Sequence, residues 1–225
     1  TGVSEGVIGY DRILKMLTVH NGELMVEEKG IYSIEKFLIA RRLMYWQVYL
    51  HKTVLAAEQT LQRIIRRAKA IGAECAEPLN TIIKTKDRNI TVDEFCKIDD
   101  TDVLMAIKSW SAHTDTVLSL LCKSVLYRQL PKCRFSHDPV SDDLLRQKQQ
   151  EIIAKWGINE TDASFLVYRG EVASSTYQSG NGSIRILFKD GTVKDITEVD
   201  DALIHENLKG KIKKYYICYP NPSLG

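Results

Sequence analysis

From Ser33 to Ile71 the chain contains neither proline nor glycine, and the residue that follows, Gly72, is a natural helix stop. The stretch predicts a helix long enough to span a core, or two helices joined by a kink. Ser33 is the expected N-cap, although Lys36 stands where a capping box would place an acid. Within it, residues 40–52 read Ala-Arg-Arg-Leu-Met-Tyr-Trp-Gln-Val-Tyr-Leu-His-Lys. At about 100° per residue, Arg41 and Lys52 fall about 20° apart in projection and about 16 Å apart along the axis. Tyr45 lies between them, with Tyr49 about 80° round from Arg41. A buried structural stripe would carry Leu and Ala. Arg, Tyr, Tyr and Lys suit a phosphate at one end and a flat ring nearby, unless the long side chains only snorkel over apolar neighbours at the edge of a core.

The same stretch is basic: Lys36, Arg41, Arg42, Lys52, Arg63, Arg66, Arg67 and Lys69 face only Glu35 and Glu58. Over all 225 residues the net charge is just +2, so nothing global demands a polyanionic partner. A second cationic cluster, Tyr127-Arg128-Gln129-Leu130-Pro131-Lys132, ends a later helical segment, where cations also suit the helix dipole. The five cysteines, Cys75, Cys96, Cys122, Cys133 and Cys218, are odd in number and scattered, with no C-x-x-C pair. Neither a disulfide framework nor a zinc knuckle is indicated, and a reducing cytoplasm is the simplest home. No apolar run approaches the roughly 18 residues of a membrane span. The chain starts at Thr1 without Met, which suggests that an earlier part is absent.

Up to about Leu130 the pattern reads as all-helical. Residues 7–19 carry Ile8, Ile13, Leu14 and Leu17 in a helical rhythm that ends at the turn His20-Asn21-Gly22, and Leu24 to Glu28 is a short extended piece. Pro78 opens a short helix to Lys84, and residues 86–89 form a polar loop. Thr91 with Glu94 makes a capping box, Asp99 to Thr101 caps a helix through Trp110, and His113 to Leu126 is again periodic. After Pro131 come one amphipathic helix, Val140 to Trp156, and then strands at 165–173, 183–188 and 192–196, with Asp190-Gly191 as a two-residue hairpin turn. Residues 174–182 are a loop, Thr197 caps a helix to about Leu208, and Lys211 to Tyr219 is a last strand. The fold class expected is mainly α: a helical body over residues 1–135 and a small α+β lobe over 136–225.

No catalyst can be assembled from these residues alone. His137-Asp138 precedes Pro139 in a turn, not inside a helix, and no second His supports it as a metal pair. There is no G-x-S-x-G elbow, no phosphate-cradling Gly-rich loop, and Gly180-Asn181-Gly182 reads as a plain turn.

Two segments carry a resemblance. Tyr49-Leu50-His51-Lys52 with Arg41 ahead of it, and Tyr127-Arg128-x-Leu130-x-Lys132, resemble the region downstream of the catalytic motif in HD-domain deoxynucleoside triphosphate triphosphohydrolases. That family includes the human restriction factor with a SAM domain and bacterial HD superfamily phosphohydrolases. The resemblance covers about residues 1–135. It implies a role for Arg41 in gripping the substrate triphosphate, with Tyr49, and Tyr45 on the same face, beside the substrate. Tyr49 is placed against the sugar. It further implies that His51, Lys52, Arg128 and Lys132 bind an activating nucleotide between subunits of a homo-oligomer. Leu50 stands where the animal enzyme has glutamine, and Glu27 replaces an arginine expected near Lys29. The family's divalent metal (Mn, Mg, Fe or Zn) is held by His and Asp ligands that would all precede Thr1. The expectation is therefore part of a dNTP triphosphohydrolase, with no catalytic or metal-ligating residue in this chain and no triphosphohydrolase activity by itself. The alternatives are a nucleic-acid or nucleotide-binding helical module and an oligomerisation or regulatory domain. An exposed stripe of Arg63, Arg66, Arg67 and Lys69 would favour the nucleic-acid module.

Overall fold

The computed structural model describes residues 3–85, 90–175, 177, 183–199 and 211–221. Among them the chain runs α1 (Tyr10–Lys15), β1 (Leu17–His20), β2 (Glu23–Glu27), a 3-10 turn (Glu28–Gly30), α2 (Ile31–Met44), a π-helical turn (Tyr45–Tyr49) and α3 (Lys52–Ile71). Next come α4 (Leu79–Lys84), α5 (Val92–Phe95), α6 (Asp100–Trp110), α7 (Thr116–Leu126), β3 (Lys132–Ser136), α8 (Asp142–Trp156) and α9 (Glu160–Leu166). Strands β4 (Tyr168–Ser175), β5 (Arg185–Leu187) and β6 (Val193–Asp195), a 3-10 turn (Ile196–Glu198) and β7 (Lys211–Tyr219) complete it. The fold is mainly α with small sheets.

The chain forms two compact units, one of residues 1–51 and 172–214, the other of 52–171 and 215–225. It passes between them after His51, Glu171 and Lys214. The composition shift in the sequence falls instead at Pro131, because it marks where helices give way to strands and not where the chain packs.

In the first unit a four-stranded sheet of order β1-β2-β5-β6 packs with α2 around Val26, Ile31, Ile34, Leu38, Ile186 and Ile196. The helical rhythm expected through residue 19 stops at Lys15, and Leu17–His20 is a strand paired antiparallel with β2. Asn21-Gly22 decides this: φ values of 53° and 79° make the mirror-image turn whose twist matches two paired strands. Gly30 is fixed by close approach, since a Cβ there would stand 2.5 Å from Val26 Cγ1 and 2.9 Å from Met16 Cβ. In the β5–β6 hairpin the Phe188 N–H donates to the Thr192 carbonyl, so the loop is residues 189–191, not the two-residue turn expected. Gly191 takes the left-handed position at φ 84°.

In the second unit α3, α4, α6, α7, α8 and α9 pack around Ile64, Trp110, Leu118 and Val167, with the Trp110 indole N–H donating to the Glu74 carbonyl at 2.7 Å. The Thr91–Glu94 and Asp99–Asp102 capping boxes both form. Three strands in the order β3-β7-β4 make its sheet. β3 was not visible in the sequence: five residues, with only Cys133 buried, offer too short a pattern. The strand expected at 165–173 begins at Tyr168, because Asn159 caps α9 by accepting the Asp162 N–H at 2.8 Å and the helix holds through Leu166. At residues 196–198 Asp195, not Thr197, is the cap, and it caps a 3-10 turn. The helix expected from there to 208, the polar loop at 86–89 and the turn at 180–182 lie wholly or mostly outside the described residues.

Candidate functional site

Helix α2 leaves the 3-10 turn with Ile31, Ile34, Leu38 and Ala40 inward and no side-chain cap, so Ser33 sits inside the first turn instead of capping it. Beyond Met44 the helix widens. The Leu50 N–H donates to the Tyr45 carbonyl at 2.7 Å, a bond across five residues, and Leu50 leaves helical geometry before α3 starts at Lys52. Of the two arrangements expected between Ser33 and Ile71, the structure has the two helices, separated at Leu50 and His51. Neither proline nor glycine causes the break. Tyr45, Trp46, Val48 and Tyr49 are aromatic or β-branched, types that lose side-chain freedom against the preceding turn of a regular α-helix. Such single π turns recur at functional sites. The break also invalidates the projection that set Arg41 and Lys52 on one face, since Lys52 belongs to the second unit.

The turn aligns Arg41, Tyr45 and Tyr49. The Arg41 guanidinium carbon lies 5.0 Å from the Tyr45 ring centroid, and the Tyr45 and Tyr49 rings are 5.4 Å apart at 52°. All three line a cavity of about 310 Å³ with Gly6, Ile8, Phe37, Ala40 and Met44. Gly6 presses on Met44, whose Sδ would stand 2.9 Å from a Cβ there, and Gln47 donates to the Glu5 carboxylate at 3.4 Å. The pocket is open: Arg41 is exposed and Tyr49 is 59% exposed. Ring contact narrows the rotamers of the guanidinium. The sequence missed Phe37, Ala40 and Met44 as lining residues, though Phe37 and Met44 stand four before and three after Arg41 on the same helix rows. Gly6 carries no periodic signal, and Ile8 was read only as part of the apolar rhythm of residues 7–19.

The four residues assigned by resemblance to an effector nucleotide lie at the start of α3 and around the α7–β3 connection, and Lys52 acts electrostatically on Cys133, the neighbour of Lys132. His51 is exposed and ends the first unit; Lys52 is exposed and opens α3. Arg128 and Lys132 flank the α7–β3 connection, both exposed. Arg128 holds φ 55°, the left-handed position that ends a helix and that glycine or asparagine usually takes. Its N–H donates to the Val125 carbonyl at 3.2 Å.

The basic run of α3 turns largely inward. Arg67 Nε and Nη2 donate to Asp115 at 3.1 and 2.6 Å, and Nη1 meets Asp162 at 2.7 Å, with the Arg67 side chain 11% exposed. Asp115 simultaneously caps α7 by accepting the Leu118 N–H at 2.7 Å. The Arg67 hydrogen bond holds the Asp115 carboxyl below its ordinary range, against the opposing effect of burial. Arg63 lies 3.3 Å from the Tyr168 ring centroid, and burial lowers its pKa. Only Arg66 of the four cations is exposed, so the continuous stripe that would favour a nucleic-acid module is not there.

His137 and Asp138 are exposed in a turn where the Asp138 N–H donates to Ser136 Oγ, so Ser136 and not the aspartate organises it. Among the described residues no three His, Cys, Asp or Glu side chains gather as a cation site. These residues do not fit the divalent metal that the resemblance implies. Nor is any helix of the described residues long and apolar enough to cross a membrane.

A family profile described as HD associated region matches residues 8–163, which include most of the cavity wall, all of α3 to α8 and the first turn of α9. The chain belongs to the HD-associated region family. Over 227 aligned residues it is 25% identical to the uncharacterized protein YwfO of Bacillus subtilis (strain 168), covering 97% of this chain and 52% of that protein. Its structure matches that of a phosphohydrolase from Bacteroides thetaiotaomicron VPI-5482 with a TM-score of 0.89 and 38% identity, over 98% of this chain and 58% of that one. A hypothetical protein from Aquifex aeolicus matches with a TM-score of 0.60 at 23% identity, over 97% and 50%, and shares the fold. The chain therefore spans about half the length of these relatives. Membership of the family and the Bacteroides neighbour relate it to HD-type phosphohydrolases.

Proposed function

We propose that this HD-associated region supplies the nucleotide-handling part of a metal-dependent dNTP triphosphohydrolase, which converts a dNTP to deoxynucleoside and tripolyphosphate. The observation that carries the reading is the grouping of Arg41, Tyr45 and Tyr49 around one open cavity. At about 310 Å³ the cavity is at the small end of the 300–1,000 Å³ common for ligand sites, enough for a phosphate and part of a sugar. In this reading Arg41 makes a charge-assisted, bidentate contact to the phosphates, and the exposed Tyr49 ring lies along the sugar. The divalent metal, Mn, Mg, Fe or Zn, is carried by residues other than those described.

The reading extends to a homo-oligomer in which His51, Lys52, Arg128 and Lys132 contact an effector nucleotide. The left-handed backbone of a non-glycine residue at Arg128 supports it, since such strain is often retained where a side chain has work. Double charge reversal at Arg128 and Lys132 then weakens nucleotide activation or assembly, a coupling of about 1–3 kcal/mol. Sedimentation with and without dGTP reads it.

The test of the main reading is made in the longer protein. Arg41→Ala lowers kcat/KM for tripolyphosphate release by about 2–4 kcal/mol in transition-state terms, and Arg41→Lys restores only part, because an ammonium lacks the fork. Near-normal kinetics in Arg41→Ala would assign α2 a purely structural role.

A further inference from the structure

Cys133 and Cys218 are scattered in sequence but directly opposite in space. In the antiparallel β3–β7 pair their Cα atoms are register partners. Directly opposed residues in such a pair sit about 4.5–5.5 Å apart at Cα, inside the roughly 4.4–6.8 Å that a disulfide spans. Both are free thiols; Cys218 is fully buried on the central strand, and Cys133 is 8% exposed on β3, an edge of the described sheet. Their side chains point to the same face of the sheet, as opposed residues do. The two thiols act on each other strongly enough to move each other's pKa in opposite directions.

We propose that Cys133 and Cys218 are a reversible redox pair that closes to a cross-strand disulfide under peroxide. Donation of the Cys218 proton favours the Cys133 thiolate and, with burial, drives the Cys218 pKa up; nearby Lys52 adds to the first effect while burial opposes it. Position also separates the two: Cys133, 8% exposed on the edge strand, is the one peroxide reaches first, and the fully buried Cys218 on the central strand is left to resolve. The Cys133 thiolate attacks one peroxide oxygen, the O–O bond breaks, and the sulfenic acid forms with loss of hydroxide, which takes up the thiolate's former proton as water. Cys218 sulfur then attacks the sulfenic sulfur, the S–O bond breaks, and its thiol proton leaves with the hydroxyl as a second water. Two thiols are oxidised and one hydrogen peroxide is reduced to two waters.

The other three cysteines lack such a partner arrangement. Burial pushes the Cys122 thiol up to about 12 and raises Cys75, which disfavours their thiolates, and Cys96 is exposed. Closure would tie β3 to β7 one residue beyond Lys132, at the end of the α7–β3 connection that also holds Arg128. The disulfide stands on strand register alone and not on the nucleotide reading, and its assay needs neither nucleotide nor metal.

The folded 225-residue chain is treated with hydrogen peroxide, quenched, unfolded, alkylated and weighed. Two of its five thiols are lost to alkylation, the mass falls by two hydrogens, and peptide mapping joins Cys133 to Cys218. Dithiothreitol restores all five. Cys133→Ser at the sheet edge abolishes the paired loss, and Cys75→Ser/Cys96→Ser keeps it. The mapping on the unsubstituted chain decides the matter even where a variant folds poorly. Five alkylatable thiols after treatment, a bond mapped between other cysteines, or Cys133 over-oxidised beside an intact Cys218 thiol would each overturn the proposal.

Discussion

Arg41 and Arg67 come from one basic stretch of sequence and have opposite fates. Arg67 is held by two carboxylates, Asp115, which caps α7, and Asp162, in the first turn of α9, and its side chain is 11% exposed. Arg41 is exposed, leans on Tyr45 and lines an open cavity. The first is a clasp that joins α3, α7 and α9; the second lines a cavity, and its ligand role is our proposal. A run of cations is therefore a poor guide to polyanion binding until capping carboxylates elsewhere in the chain are counted, because an N-cap aspartate is also an arginine acceptor.

The comparison predicts its own largest effect at Arg67. Arg67→Ala leaves two partly buried carboxylates without their cation and costs about 3 kcal/mol in denaturant unfolding, whereas Arg41→Ala changes stability by less than about 0.5 kcal/mol. Equal costs at the two sites would erase the distinction. Next in size, Gly30→Ala forces a methyl against Val26 and Met16 and lowers stability by about 2 kcal/mol, a loss confined to the unit that holds the cavity.

Acid sharpens the contrast further. The folded-state pKa of Asp115 is depressed, chiefly by its bond to Arg67. Its contribution is thus full above the unfolded value of about 4 and is lost as pH falls through the folded value. Stability falls more steeply below about pH 4 in the unsubstituted chain than in Arg67→Ala, as unfolding midpoints against pH show. The smallest effect is at Arg128. Arg128→Gly relieves a left-handed non-glycine residue and raises stability by up to about 1 kcal/mol, in thermal unfolding. A fall instead would mean that the side chain is itself a structural contact.

Sequence pattern served well where a local rule determines local structure. Capping boxes at Thr91 and Asp99 and the strand Lys211–Tyr219 depend on neighbours a few residues away. It failed where the deciding partner is distant or the geometry departs from a regular period. Leu17–His20 looked helical until Asn21-Gly22 folded it back onto β2, and β3 is a strand because β7, far along the chain, pairs with it. At the site, Arg41, Tyr45 and Tyr49 were legible as a set because they lie within three turns. Lys52 was wrongly aligned with them, since about 100° per residue does not hold through a π turn. Cys133 and Cys218 looked unrelated for the same reason as β3: only the register joins them.

The most direct measurement is calorimetric titration of the chain with dGTP at low salt, in the unsubstituted protein and in Arg41→Ala and Arg66→Ala. If the cavity is the triphosphate site, Arg41→Ala weakens binding by at least about tenfold, equal to 1.4 kcal/mol, while Arg66→Ala, an exposed cation on α3, leaves it nearly unchanged. Equal affinity in all three proteins, or a greater loss in Arg66→Ala, would contradict the assignment of Arg41 to the ligand.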